Sequence, residues 1–212
     1  MALIGDGLWE RAYSGLLNVF FPSKCPVCGG ASDTFRTSPI CAGCWAEGIK
    51  PYDGPACSVC MAPFQSEQGT ICSECRKGPP HYTRALSYGL YSGTLREAIH
   101  LLKFSSIRRL ARPLGLLMAG LDLPRVDLIV PVPMGGSGLK ERGFNQSALI
   151  GRAVSGKTGA PLKVDVLIKK KDTLPQVGLS RAKRLRNVKG AFGVRGKLNG
   201  ESVLLIDDVM TT

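Results

Sequence analysis

The chain has 212 residues, 44% of them apolar and 21% charged, which suits one ordinary domain plus a small one. No stretch is long and apolar enough to be read as a membrane-spanning helix. The formal net charge is +12, and the segment 139–200 carries all of the excess, with 15 of the 28 Lys/Arg and only 3 of the 16 Asp/Glu. Such a segment points to a polyanionic partner, nucleic acid or a polyphosphate, or to no more than a solvated surface.

The first 22 residues, beginning MALIGDGLWERAYSGLLNVFF, are apolar but interrupted by Asp6, Glu10 and Arg11. A secretory signal needs a basic start and a clean apolar core, so none is read here and a cytoplasmic location is expected. The spacing of Leu8, Trp9, Leu16, Leu17 and Phe20 predicts an amphipathic helix over 1–22 that docks on the rest of the protein.

All eight cysteines lie between 25 and 75, as CPVC, CAGC, CSVC and CSEC. The separations are C-x2-C-x12-C-x2-C and C-x2-C-x11-C-x2-C, so the unit repeats after 31 or 32 residues. Thiolates two residues apart can turn toward one centre, and two such pairs make a tetrahedral sulfur site that suits Zn2+. The repeat groups Cys25, Cys28, Cys41 and Cys44 in one site and Cys57, Cys60, Cys72 and Cys75 in the other. A crossed grouping and an iron tetrathiolate stay open. Four protein ligands leave no open position, so both sites are read as structural. Disulfides do not fit a chain without a secretory signal, and a redox C-x-x-C usually occurs singly.

After Gly78-Pro79-Pro80 the pattern changes. ALSYGLY (85–91) predicts a strand. TLREAIHLLKF predicts a helix opened by a capping box of Thr94 and Glu97, with Leu95, Ala98, Ile99 and Leu102 on one face. His100 in that helix is assigned no chemistry. A second apolar helix is expected over 106–121, with Pro113 as a break or start. VDLIVPVP (126–133) reads as a buried strand running into a glycine-rich loop, MGGSGLKERG. FNQSALIGRAV reads as a helix and PLKVDVLI as a strand. The basic stretch 169–190 reads as a mobile loop leading into a helix. AFGVR, a turn at Asn199-Gly200 and SVLLI close the pattern. Strands alternating with helices predict an α/β domain with a mainly parallel sheet, whose ligands sit beyond the carboxyl ends of the strands.

GRAVSGKT (151–158) matches the phosphate-binding P-loop spacing. A true P-loop follows a strand and opens a long helix, whereas Gly151 falls inside a helical stretch and Gly159 and Pro161 end it. A nucleotide hydrolase is thus a remote alternative, and the end of a helix with a cationic, glycine-containing cap is preferred.

VLLIDDVMTT (203–212) joins a buried-type strand to two acids, two apolar residues and two hydroxyls. It resembles the phosphoribosyl-pyrophosphate signature of type I phosphoribosyltransferases. With YSGTLREAIHLLKF, PVPM…KERGFNQS and TLPQVGLSRAKRLRNVKGAF, in this order behind a cysteine-rich head, the chain resembles the ComF family along nearly its whole length. Those are competence-associated proteins with a double zinc ribbon and a phosphoribosyltransferase-like domain.

The resemblance implies a ribbon region over 23–80 and a phosphoribosyltransferase-like α/β domain over 81–212. It implies Mg2+ and phosphoribosyl pyrophosphate as ligands. Asp207 and Asp208 would take the ribose hydroxyls, Thr211 and Thr212 would begin the phosphate cradle, and Pro133, Met134 and Gly135 would form the pyrophosphate-side loop. Lys103, Arg142, Asn145 and Gln146 would line the cleft, with Thr173, Gln176, Arg184 and Asn187 on a mobile cover. The loop carries MGGSG where family members carry basic residues, which implies weaker anion binding. The signature's further glycine and hydroxyl do not follow Thr212, so an incomplete sheet and a poorly soluble chain are expected. The resemblance leaves two functions standing: a phosphoribosyltransferase with an unidentified acceptor, and an adaptor of DNA uptake. The adaptor would bind single-stranded DNA through the basic segment and act with other DNA-uptake proteins. Phe144 and Phe192 are the only aromatics in that segment, so its binding would be mostly electrostatic.

Overall fold

A computed structural model describes residues 23–64, 70–173 and 180–210, leaving aside the side chains of Arg181, Ala182, Arg184 and Leu185. The helix expected over 1–22 lies outside the described residues, as do Gln176, Thr211 and Thr212.

Each cysteine half opens with a knuckle closed by one antiparallel bridge, Lys24 to Ala31 in the first and Ala56 to Pro63 in the second. A short helix then carries the second cysteine pair: α1 (Ala42–Gly48) and α2 (Ser73–Lys77). The residue before each helix is a cysteine, Cys41 or Cys72, with the same backbone angles, φ −68° and ψ 160°. Its sulfur accepts the amide of Cys44 or Cys75, as a serine oxygen would at a helix start.

The remainder follows as α3 (Gly93–Phe104), a 3₁₀ turn (Arg108–Leu110), α4 (Ala111–Ala119) and β1 (Leu128–Pro131). Then come α5 (Gly136–Arg142), α6 (Gln146–Thr158), β2 (Leu167–Lys169), α7 (Arg181–Val188), β3 (Phe192–Val194) and β4 (Val203–Ile206). β1 and β4 pair in parallel, Leu128 opposite Val203 through Pro131 opposite Ile206. On the other edge of β1, Ile129 exchanges hydrogen bonds with Pro161 and Lys163, extending the parallel arrangement by one bridge. β2 and β3 form a separate antiparallel pair. The parallel expectation therefore holds around β1, and the second pair departs from it.

β1 is buried at every residue, as its unbroken apolar run requires of a central strand. α6 covers it with Ser147, Ile150, Gly151 and Val154, one face at helical spacing. α4 crosses α6 closely through Gly115: a Cβ there would stand 2.7 Å from both the Ala153 Cβ and the Ile150 carbonyl oxygen. Pro113 sits in the first turn of α4, where a missing amide is tolerated.

One hydrophobic core joins this layer to the first cysteine half. Ile40 and Ile49 pack in the same cluster as Ala98, Leu102, Leu110, Ile129, Ile150 and Ile206. Arg109 fastens the junction, donating from Nε to the Ser38 carbonyl at 2.9 Å.

Three local expectations are corrected. Residues 85–91 form no strand, because their backbone is used by the cysteine halves: Tyr52 N–H donates to the Tyr88 carbonyl, and Ala85 N–H to that of Val59. The capping box does not form; α3 starts at Gly93 with Ser92 as its cap residue, and Thr94 is buried in the first turn against Gly48. The glycine-rich stretch after Pro133 is mostly helix, α5, stopped by Gly143 in the left-handed conformation (φ 76°). The P-loop look-alike lies wholly within α6 up to Thr158 and is capped by Gly159 (φ 81°), with Lys157 in the last turn, so it has no phosphate-cradling loop.

Candidate metal centres and sugar-phosphate site

The eight sulfurs fall into two groups, Cys25, Cys28, Cys41 and Cys44, and Cys57, Cys60, Cys72 and Cys75, with all ligand atoms of a group within 4.8 Å of one another. Sequential grouping is therefore what the fold adopts. A tetrahedral zinc with Zn–S of about 2.3 Å places its sulfurs about 3.8 Å apart. Cys28 and Cys41 are separated by 3.8 Å, and Cys60 and Cys72 by 3.7 Å, so both donor sets fit the ion.

Backbone amides point at the sulfurs: Cys41 N–H donates to Cys25 at 3.4 Å and Cys72 N–H to Cys57 at 3.3 Å. At Cys25, burial opposes the thiolate, but amides of Cys41, Cys28 and Val27 overcome it and hold the thiol at about 6. Cys57 is brought to about 6 in the same way, against burial, by Cys60, Cys72 and Val59. The last cysteine of each group is pushed up: Cys44 mainly by its bond to Cys41, and Cys75 to about 12 by burial and then by Cys60. Each cluster thus holds one ready thiolate beside reluctant thiols, Cys44 in the first and Cys60 and Cys75 in the second, and zinc displaces the remaining protons as it binds. Zinc supplies the cross-link that these stretches, poor in large apolar residues, lack.

The second site lies where β1 and β4 end side by side. Val132 N–H still donates to the Ile206 carbonyl, at 2.9 Å, and the chain past Ile206 runs directly into the two acids. Asp207 Oδ1 accepts from the Ser147 hydroxyl at 3.0 Å and from the Asp208 amide at 2.9 Å. Asp208 turns the other way, and its Oδ2 lies 2.7 Å from Lys103 Nζ at the end of α3. Asn145 caps α6 with its side-chain oxygen on the Ser147 and Ala148 amides, while its Nδ2 donates to the Val132 carbonyl. Arg142 donates to Gln146 Oε1 at 2.8 Å.

Asp207 is an exposed residue, yet its carboxyl is raised to about 6, first by loss of water around it and second by the charge of Asp208. The Asp208 amide and the Ser147 hydroxyl partly offset this.

Of the residues singled out in the sequence, Asp207, Asp208, Lys103 and Asn145 meet at these strand ends, and Arg142 and Gln146 flank them. Pro133 and Met134 lead from β1 to Gly135, the residue before α5. Gly135 is buried, and a Cβ there would run into the Asp172 carboxylate. Thr173 ends the described part of the segment after β2, and Asn187 lies in the last turn of α7. Arg184 belongs to α7, and its side chain is outside what is described. Ser147 was missed. It follows the helix cap by two residues, and that position turns its hydroxyl toward a strand end.

The Double zinc ribbon domain family matches residues 16–76. Competence protein F of Haemophilus influenzae is 31% identical over 206 residues, covering 91% of this chain and 87% of that protein. The DNA utilization protein YhgH of Escherichia coli K12 is 31% identical over 170 residues, covering 76% and 74%. The protein of the same name from Salmonella typhimurium is 31% identical over 166 residues, covering 74% and 72%. No solved structure matches. Similarity at this level along most of both chains, with both four-cysteine groups assembled, makes this chain a member of the ComF family.

Proposed function

We propose that the protein serves DNA uptake or utilisation and carries a phosphoribosyl-pyrophosphate site of the type I phosphoribosyltransferase kind. The observation that carries the reading is the acid pair at the end of β4. Asp207 and Asp208 lie beyond the carboxyl ends of two parallel strands, where ligands of such sheets sit. Each acid is held by a different partner, Ser147 or Lys103. Carboxylates fixed in this way accept hydrogen bonds from ribose hydroxyls. Pro133, Met134 and Gly135 border the same strand ends and would meet the diphosphate, with Mg2+ travelling alongside it. Thr211 and Thr212 would begin the 5-phosphate cradle. Thr173, Gln176, Arg184 and Asn187 would cover the ligand. The names borne by the relatives support the link to DNA.

Calorimetric titration of Mg2+–phosphoribosyl pyrophosphate into zinc-loaded protein tests this reading. Saturable binding that disappears in D207N/D208N supports the site. Absence of binding in a protein with both zinc sites filled overturns it.

A second reading, binding of single-stranded DNA, is favoured by the exposure of the basic segment. Lys140, Arg152, Lys163, Lys170, Lys171 and Lys197 all reach solvent. Binding through such groups weakens steeply with salt, whereas the sugar-phosphate site depends on Asp207 and Asp208.

A further inference from the structure

The segments around the ends of α3 and α5 exchange an arginine and a phenylalanine. Arg142, closing α5, lies with its guanidinium carbon 5.5 Å from the centre of the Phe104 ring, which closes α3. Arg108, just beyond α3, lies 4.8 Å from the centre of the Phe144 ring, just beyond α5. Arg108 also donates to the Gly143 carbonyl between them, at 3.4 Å. Phe144 is buried and serves as the anchor. Phe104 is 61% exposed, more than any other large hydrophobic residue described. His100, one turn earlier on α3, lies against it with ring centroids 4.5 Å apart.

A phenylalanine in contact with an arginine and a histidine is restricted in orientation, and at 61% exposure much of its side chain still meets solvent. The chain after Glu97 is basic, although exposed Glu141 neighbours Arg142 and Asp208 already pairs with Lys103. No Asp or Glu occurs from Ala98 to Leu121, while Lys103, Arg108, Arg109 and Arg112 do. Arg108, Arg112 and Lys140 are exposed. Flat aromatic faces among cations are what single-stranded nucleic acids use: a base stacks on the ring while its phosphates meet the cations.

We infer that Phe104, held by Arg142 and His100 and flanked by Arg108, is a stacking station for an unpaired base of single-stranded DNA. The ring lies open on the surface, so a free base would have no wall to enclose it. A strand brings phosphates that the surrounding arginines complement. The assignment rests on the DNA-binding reading and adds an aromatic platform outside the basic segment. It also sets the strand beside the acid pair, because Lys103, the residue before Phe104, holds Asp208.

The test uses the zinc-loaded full chain and a fluorescein-labelled oligothymidine, read by anisotropy across a salt series. Phe104→Ala is expected to weaken binding about tenfold at fixed salt while leaving the salt slope unchanged, because stacking is lost and phosphate contacts stay. Phe104→Trp is expected to restore affinity, with its added emission quenched on binding. Arg142→Ala is expected to lower both affinity and slope, the slope by about one. Unchanged binding in Phe104→Ala, with emission of Phe104→Trp insensitive to the oligonucleotide, overturns the station and leaves the broader DNA reading standing. Competition by thymidine monophosphate as strong as by the strand overturns the strand as occupant. No binding by the unaltered protein overturns the station together with the DNA reading.

Discussion

The ammonium of Lys103 lies 2.7 Å from Oδ2 of Asp208, with the two side chains only 19% and 4% exposed. This ion pair ties the end of α3 to the residue just past β4, elements a hundred residues apart in the chain. It also leaves the two acids in unlike surroundings, since Asp207 is held by a hydroxyl and an amide instead.

Lys103→Met would leave the Asp208 carboxylate buried without a counter-charge. The expected cost is about 3 kcal/mol in urea unfolding, because removing one partner of a buried pair leaves the desolvation penalty uncompensated. Lys103→Met/Asp208→Leu should recover much of that loss. A double-mutant cycle showing no coupling would refute the pair as a structural tie.

The carboxyl of Asp207, raised to about 6 by loss of water around it and by Asp208, predicts a pH dependence with a definite sign. A folded-state value above the unfolded one favours the protonated folded form. Its stabilising contribution is therefore full below about 4 and is lost as pH rises through about 6. Ligand binding runs the opposite way: ribose hydroxyls need the carboxylate, so affinity for Mg2+–phosphoribosyl pyrophosphate should rise between pH 5 and pH 7. Calorimetry at the two pH values on the native chain and D207N checks this. The rise should flatten in the variant.

The two zinc sites should differ in how far their loss spreads. Ile40 and Ile49, flanking the first site, belong to the main core, and Cys25 itself is part of it. Cys57 and Cys60 are buried but lie outside that cluster. Cys25→Ser should lose one zinc and lower the melting temperature of the whole protein. Cys57→Ser should lose one zinc with a clearly smaller shift. Metal content by plasma mass spectrometry beside melting followed by circular dichroism distinguishes the two. Equal shifts would contradict the shared core.

Gly115 marks the closest approach of α4 and α6. Gly115→Val should cost about 1–3 kcal/mol in urea unfolding, because the backbone carbonyl of Ile150 cannot rotate aside as a long side chain could. A neutral substitution would mean that the helices can separate freely.

Much of this was legible in the sequence because it depends on local spacing. Four C-x-x-C pairs with a repeat of 31 or 32 residues already specified two sulfur sites, since the knuckle needs only two residues between thiols. The apolar runs LIVP and VLLI marked the two parallel strands, although only the first is buried throughout; Val203 and Leu205 of β4 are exposed. Gly159 and Pro161 already made the P-loop a remote alternative, because they end the helix that such a loop would have to begin.

What only the tertiary structure decided were matters of partners distant in sequence. Residues 85–91 have the composition of a strand but find their hydrogen bonds on Val59 and Tyr52, which no local propensity records. Thr94 has the spacing of a cap but is buried in the first turn against Gly48. Ser147 carried no signal beyond its place after Asn145, and its role arises only because β4 delivers Asp207 to the start of α6. The sequence alone determined which residues are metal ligands and where the parallel strands run, because both follow from short-range chemistry. The pairing of Lys103 with Asp208, and the crossing of Arg142 over Phe104 and Arg108 over Phe144, required the chain to close on itself.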